Sequence, residues 1–289
     1  MIALPEDIKK FMAVFEKKGF QIYLVGGAVR NLLLKKEITN WDFTTDATPE
    51  KMLKLFPDAF YNNVYGTVTI PQKDILLEVT PFRKESKYDD NRHPKIIEWA
   101  KTVKEDLARR DFSINAIAFG GKKIIDPYSG QKHLKEKIIV AVGDPDKRFN
   151  EDALRLMRGI RLAAQLGFLI EEKTRASIQK NAHLIKKISW ERIRDELLKI
   201  IESEHPAEGI LFLHSTGLLQ YILPELEVCF SIPQKSPKRH HIYDVGTHCV
   251  MALKHCSSRD PITRLATLLH DIGKAKTFWK DKDTELITF

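Results

Sequence analysis

The run Leu24-Val25-Gly26-Gly27-Ala28-Val29-Arg30, followed ten residues later by Asn40-Trp41-Asp42, most limits what this chain can fold into. Residues 21–25 are β-prone and a helix-compatible segment starts near Ala28, so a strand must turn almost directly into a helix through two glycines. Missing side chains at Gly26 and Gly27 let backbone N–H groups approach an anion such as a phosphate. The helix adds its positive end, and Arg30 a fixed cation. On the next strand, positions 40 and 42 share a face about 6.6 Å apart, close enough to aim two groups at one ion; Asp46, about 13 Å from Asp42, is not.

Residues 5–18 place Ile8, Phe11, Met12 and Phe15 at helical spacing. Short strand-like runs then alternate with turns up to about residue 130: 21–25, 41–44, 68–70, 75–82, 116–119 and 123–125. The third and fourth are near enough, across Pro71-Gln72-Lys73-Asp74, to pair as a hairpin. From about residue 136 the spacing is helical, over 150–166, 172–181, 190–203, 206–216 and 247–255. The class is α+β: a head over 1–135 with a small mixed sheet and helices, an all-helical body over 136–231, and a further helical unit over 240–289. The Pro-punctuated basic segment 232–239 links the last two. With 289 residues and 43% apolar content, more than one core can be buried.

A net charge of +8 favours a polyanionic partner. Cys229, Cys249 and Cys256 are odd in number and lack CxxC spacing, which argues against a disulfide framework or thiolate zinc site and for a reducing compartment. No apolar run reaches transmembrane length, and Pro5, Glu6 and Asp7 interrupt any signal-peptide core. The expectation is a cytoplasmic protein without a membrane role, its oligomeric state left open.

Four constellations can carry chemistry. Glu78 sits in the apolar run 75–80, either as an exposed strand residue or as a carboxylate aimed at a cation; Asp42 alone reads equally as a turn or capping residue. Within 105–116, Arg109 and Arg110 can grip a triphosphate, Asp111 can accept from a ribose hydroxyl and Asn115 can position either. The alternative is a solvated charge run. Over 151–161, positions 153, 156, 157 and 160, continued by 163 and 164, form a buried side. Asp152, Arg155 and Arg158 succeed one another at steps of about 60° in one polar stripe. That stripe can offer hydrogen-bonding edges to a nucleobase, or be an ordinary surface ion pair. Last, His240, His241, Asp244 and His248, with His270-Asp271, contain groups able to share a divalent metal. A closed site needs a further ligand, for which the scattered Asp281 and Asp283 are the candidates after them.

In this order, segments 24–30, 41–50, 78–83, 109–116, 126–130, 142–161 and 191–196 resemble the class II tRNA nucleotidyltransferase and poly(A) polymerase family, of the CCA-adding type. Residues 240–276 resemble the start of an HD domain. The resemblance implies a head of the DNA polymerase beta type, with Mg²⁺ held by Asn40, Asp42 and Glu78. It implies nucleotide contacts from Gly26, Gly27, Arg30, Arg110, Asp111 and Asn115, and catalysis by Asp42, Glu78 and Arg110. Asp152 and Arg155 would select ATP or CTP without a template, with Arg158 and Arg161 lining the same site. The polar run 84–95, containing Asp89, Asp90, Arg92 and His93, would be a loop that switches the enzyme to A addition.

The implied activity is addition of CCA, or part of it, to tRNA 3′ ends from CTP and ATP by two-metal transfer. Poly(A) addition, an HD-type metal phosphohydrolase at His248, His270 and Asp271, and a weakened RNA-binding relative are the alternatives. Two positions depart from the family pattern: Asn40 and Asn31 stand where Asp is usual. An amide oxygen brings no charge and holds a hard cation less strongly. The HD pattern stops at Ile287-Thr288-Phe289, so a truncated HD unit without phosphohydrolase activity is expected.

Overall fold

In a computed structural model the chain divides into two compact units, Met1–Asp144 and Pro145–Phe289. The structure describes residues 4–61, 66–73, 75–88, 94–235 and 242–289, without the side chains of 85–88 and 94–97.

The first unit opens with α1 (Glu6–Lys17), whose Ile8, Phe11, Met12 and Phe15 are all buried. Phe11 packs its ring on Phe15, Phe43 and Phe56, which seats the helix against the sheet. Then come β1 (Ile22–Val25), α2 (Gly26–Leu33), β2 (Trp41–Thr45), α3 (Pro49–Leu55), β3 (Phe60–Tyr61), β4 (Val68–Gln72) and β5 (Ile75–Pro81). The unit continues with β6 (Arg83–Tyr88), β7 (Pro94–Trp99), α4 (Val103–Ala108), β8 (Ala118–Phe119), β9 (Ile124–Ile125) and α5 (Gly130–Glu136).

Among the described residues seven strands form one mixed sheet in the order β3-β4-β5-β2-β1-β8-β9. β2 and β5 run parallel, because the intervening α3, β3 and β4 return the chain before β5 begins. The expected β4–β5 hairpin forms, and it is tighter than the four-residue turn anticipated. Gln72 pairs with Ile75, and Lys73 takes a left-handed φ of 53°.

Two expectations change here. The run 84–95 supplies parts of β6 and β7, which pair antiparallel; Asp89, Asp90, Arg92 and His93 lie outside the described residues. A two-stranded ribbon satisfies its ladder through backbone groups alone, so it needs no apolar alternation to announce it. The strand expected over 116–119 is only Ala118–Phe119, because Ser113–Asn115 closes a 3-10 turn just before it. Helix α4 carries a capping box, Thr102 with Glu105, that periodicity did not reveal.

The second unit is mostly helical: α6 (Pro145–Glu151), α7 (Leu154–Leu166), α8 (Glu172–Asn181), α9 (Trp190–Ile201), α10 (Pro206–Ser215), α11 (Leu219–Ile222), α12 (Pro224–Cys229), α13 (Val245–His255), α14 (Pro261–Leu269) and α15 (Lys274–Thr277). The single helix expected over 150–166 is two. Asp152 breaks it: its Oδ1 accepts from the Leu154 N–H at 3.1 Å, a local bond that competes with the helical ladder. The buried side of α7 is as expected, with Ala153, Leu156, Met157, Ile160, Ala163 and Ala164 all within the core. Ile287–Thr288 pairs with Trp279–Lys280. No helix among the described residues is long and apolar enough to cross a membrane.

Candidate active site

Asp42 on β2 and Glu78 on β5 are in-register partners on parallel strands, so both side chains leave one face of the sheet about 4.8 Å apart. Asn40 lies just before β2, and Asn40, Asp42 and Glu78 line one cleft of 370 Å³ together with Phe60, Thr69 and Leu76. The Asp42 carboxyl is pushed above its ordinary value, first by burial and then by the Glu78 carboxylate, with Arg110 pulling the other way. Two crowded carboxylates and an amide oxygen make an all-oxygen donor set, which is the chemistry a hard divalent cation selects.

Helix α2 starts at Gly26, two residues earlier than expected, because the chain turns there with a φ of +67°. A β-carbon on Gly26 would stand 3.0 Å from Arg110 Nη1 and 3.8 Å from Asp42 Oδ2. The missing side chain thus opens a space bounded by a guanidinium and a carboxylate. Gly27 lies beside Arg30, whose Nη2 would be 3.5 Å from a β-carbon there. Arg30 donates through Nη1 to Asn115 Oδ1 at 2.9 Å, and through Nε and Nη2 to Asn31 Oδ1 at 3.2 and 3.0 Å. Asn115 and Asn31 therefore hold Arg30 in place, Asn31 doing so through its amide oxygen.

Arg110 is held as firmly, by Asp106, a residue to which the sequence pattern assigns no role. Asp106 is fully buried; it accepts from Arg109 Nε and Nη2 at 3.0 and 2.8 Å and from Arg110 Nη2 at 3.3 Å. Burial pushes its carboxyl up, but the charges of Arg109 and Arg110 outweigh this and hold it below its ordinary value. The signal in the sequence is an acid three and four residues before paired arginines. Arg110 Nε is buried with no hydrogen-bond partner among the described residues. Asp111 is 8% exposed, and its Oδ1 accepts from the Phe112 N–H at 2.8 Å.

In the second unit the expected stripe is redrawn. Asp152 stands in the break between α6 and α7, and its Oδ2 is 3.5 Å from Arg192 Nη2. Arg155 turns back instead, donating to Glu151 Oε2 at 2.6 Å and to the Arg148 carbonyl at 3.2 Å. Asp152 and Arg155 thus belong to separate pairs, Asp152 with Arg192 and Arg155 with Glu151. Arg161 contacts Glu196 at 2.7 Å, and Arg158 is half-buried on the same helix. Arg192 and Glu196 lie in the family-like segment 191–196, to which the resemblance attached no role; Arg192 Nη1 is buried with no hydrogen-bond partner among the described residues.

Near the C-terminal end, one group of three His, Cys, Asp or Glu ligands converges among the described residues: His248, His270 and Asp271, with ligand atoms within 4.8 Å of one another. His248 Nε2 lies 3.2 Å from His270 Nε2 and 3.4 Å from Asp271 Oδ2. Lys274 Nζ also reaches Asp271, at 2.6 Å. Asp244 does not join them: it caps α13, accepting from the Thr247 N–H at 2.6 Å, while His240 and His241 lie outside the described residues. Asp281 accepts from the N–H groups of Asp283 and Thr284 in a turn.

The family profile described as "Poly A polymerase head domain" matches residues 22–140, and that described as "Probable RNA and SrmB- binding site of polymerase A" matches 167–230. A CCA-adding enzyme of Geobacillus sp. (strain WCH70) is 42% identical over 224 residues, covering 76% of this chain and 55% of that protein. One from Lactobacillus helveticus (strain DPC 4571) is 44% identical over 220 residues, covering 74% of this chain and 55% of that protein. The crystal structure of the Bacillus stearothermophilus CCA-adding enzyme in complex with CTP has a TM-score of 0.76 at 31% identity, covering 93% of this chain and 64% of that one. The match thus spans little more than half the length of the curated relatives.

Proposed function

Because the chain belongs to the tRNA nucleotidyltransferase and poly(A) polymerase family, we propose that it adds CCA, or part of it, to tRNA 3′ ends from CTP and ATP without a template. One observation carries the reading: the space left by Gly26 is bounded by Arg110 and Asp42, with Glu78 in register beside Asp42. Phosphate-binding groups and a carboxylate pair thus meet at one point.

Asn40, Asp42 and Glu78 would hold Mg²⁺, which when bound would lower the pKa of the RNA 3′-hydroxyl and neutralise the departing pyrophosphate. Backbone N–H groups at Gly26 and Gly27, with Arg30 and Arg110, bind the triphosphate. Both guanidiniums are fixed in advance, Arg30 by Asn31 and Asn115 and Arg110 by Asp106. Little reorganisation is then needed as charge moves onto the leaving group. The buried Nε of Arg110, with no partner among the described residues, is a donor that a bound anion would satisfy. Asp111 is assigned to the ribose.

Selection between CTP and ATP is assigned to Asp152, Arg155, Arg158 and Arg161 of the body, whose polar edges are held by ion pairs such as Arg155–Glu151 and Arg161–Glu196. The surplus of +8 supports contact with the RNA backbone, so binding should fall steeply with salt. The functional divisions we assign are a catalytic head over 1–135, a selecting and RNA-binding body over 136–231 and part of an HD unit over 240–289, where His248, His270 and Asp271 would hold a second kind of metal. Three cysteines, none of them bridged, suit the cytoplasm.

The test is incubation with tRNA transcripts ending before CCA, after C and after CC, each with labelled CTP or ATP, and then sequencing of the products. Completion to CCA is expected. A homopolymeric A tail would make the chain a poly(A) polymerase, and tRNA binding without incorporation at any Mg²⁺ or Mn²⁺ concentration would make it a non-enzymatic relative.

A further inference from the structure

We propose that Phe60 and Leu76 form an apolar shelf that stacks the terminal base of the acceptor RNA and so delivers its 3′-hydroxyl to Asp42 and Glu78; this rests on the nucleotidyl-transfer reading above. Strand register draws one row across the sheet. Phe60 is opposite Thr69, Thr69 is opposite Glu78, and Glu78 is beside Asp42. Residues paired in register point to one face, so these four side chains share a side of the sheet. Leu76, two residues before Glu78 on β5, shares it too.

The groups assigned to the triphosphate lie on the other flank of Asp42. Gly26 and Arg30 are on α2, directly after β1, and Arg110 stands over Gly26. β1 and β5 are the two neighbours of β2, so the phosphate side and the shelf side are opposite. Displacement at phosphorus puts the attacking and leaving oxygens roughly in line. A triphosphate on the β1 side therefore calls for a hydroxyl arriving from the β5 side, over the row that ends at Phe60.

Spacing and exposure agree with that occupant. Two strand separations put Phe60 roughly 10 Å from Glu78, the span of a nucleoside from its 3′-hydroxyl to its base. Phe60 is 49% exposed and Leu76 60%, although both line the cleft that holds the carboxylates. An aromatic face accepts any base, which suits an acceptor whose last nucleotide changes with each addition.

The experiment compares the full chain with Phe60→Ala and Phe60→Tyr, using tRNA acceptors ending in CC whose last nucleotide is intact or abasic, with ATP as donor. For the unaltered chain, removing the terminal base should lower kcat/KM for the acceptor roughly tenfold. Phe60→Ala should be about that low on both acceptors, with the KM for ATP unchanged, and Phe60→Tyr should regain the difference. If Phe60→Ala still separates the two acceptors by the unaltered chain's factor, the shelf is refuted. If the unaltered chain transfers nothing to either acceptor, the transfer reading fails and takes the shelf with it, a result distinct from the first.

Discussion

Arg110 Nη1 lies 3.0 Å from the point at which Gly26 would carry a β-carbon, so the glycine and the guanidinium are shaped to each other. Gly26→Ala must both force an L-residue to hold a φ of +67° and push Arg110 aside. The strain alone should lower stability by about 1–2 kcal/mol. The KM for CTP should rise beyond what that loss explains, measured beside thermal unfolding of the same variant.

Asp42 and Asn40 should respond in opposite directions. Asp42→Ala removes the inner carboxylate and should lower incorporation by more than about 100-fold, exceeding the effect of losing an outer partner of a metal ligand. Asn40→Asp adds a charge to the cleft and should reduce the Mg²⁺ concentration giving half-maximal rate. Near-normal incorporation by Asp42→Ala would remove it from the catalytic set.

Asp106→Asn should destabilise the head by about 3 kcal/mol, because Arg109 and Arg110 lose a buried counter-charge. The Asp106 carboxyl is held below its ordinary value of 3.8. Its stabilising contribution is therefore fully present above that pH and is lost as pH falls through the lower, folded value. Acid unfolding curves of the two proteins should converge at the acid end, and the variant should also bind nucleotide more weakly.

Asp152→Ala should relax the choice between CTP and ATP while leaving the total rate with the preferred nucleotide less affected. The readout is the ratio of kcat/KM for the two nucleotides on an acceptor ending in CC. An unchanged ratio would place selection elsewhere in the body, Arg192 being the next residue to alter.

His270→Ala should abolish binding of one transition-metal ion at the C-terminal cluster, since two imidazoles and a carboxylate suit such ions better than Mg²⁺. Calorimetric titration with Ni²⁺ or Zn²⁺ reads this. Nucleotide incorporation should be unaffected by the substitution.

Local patterns were legible wherever one strong period governs a segment. The apolar face of α1 is a case, and so are the buried side of α7 and the β4–β5 hairpin. Asn40, Asp42 and Glu78 were nameable as a set, and they do line one cleft. Asp106 was not, because an acid near arginines looks the same whether it is solvated or fully buried. The partners of Asp152 and Arg155 were not legible for a similar reason: spacing assumes an unbroken helix, and Asp152 stands at a break where its side chain bonds to the Leu154 N–H.

By itself, the sequence determined the class of the head, the helical nature of the body and the chemistry on offer, because residue type and periodicity act within a few residues. Only the tertiary structure decided which charges are partners and which flank of Asp42 each group occupies. Those depend on strand order, with β2 lying between β1 and β5, and strand order is a long-range packing outcome that no local spacing encodes.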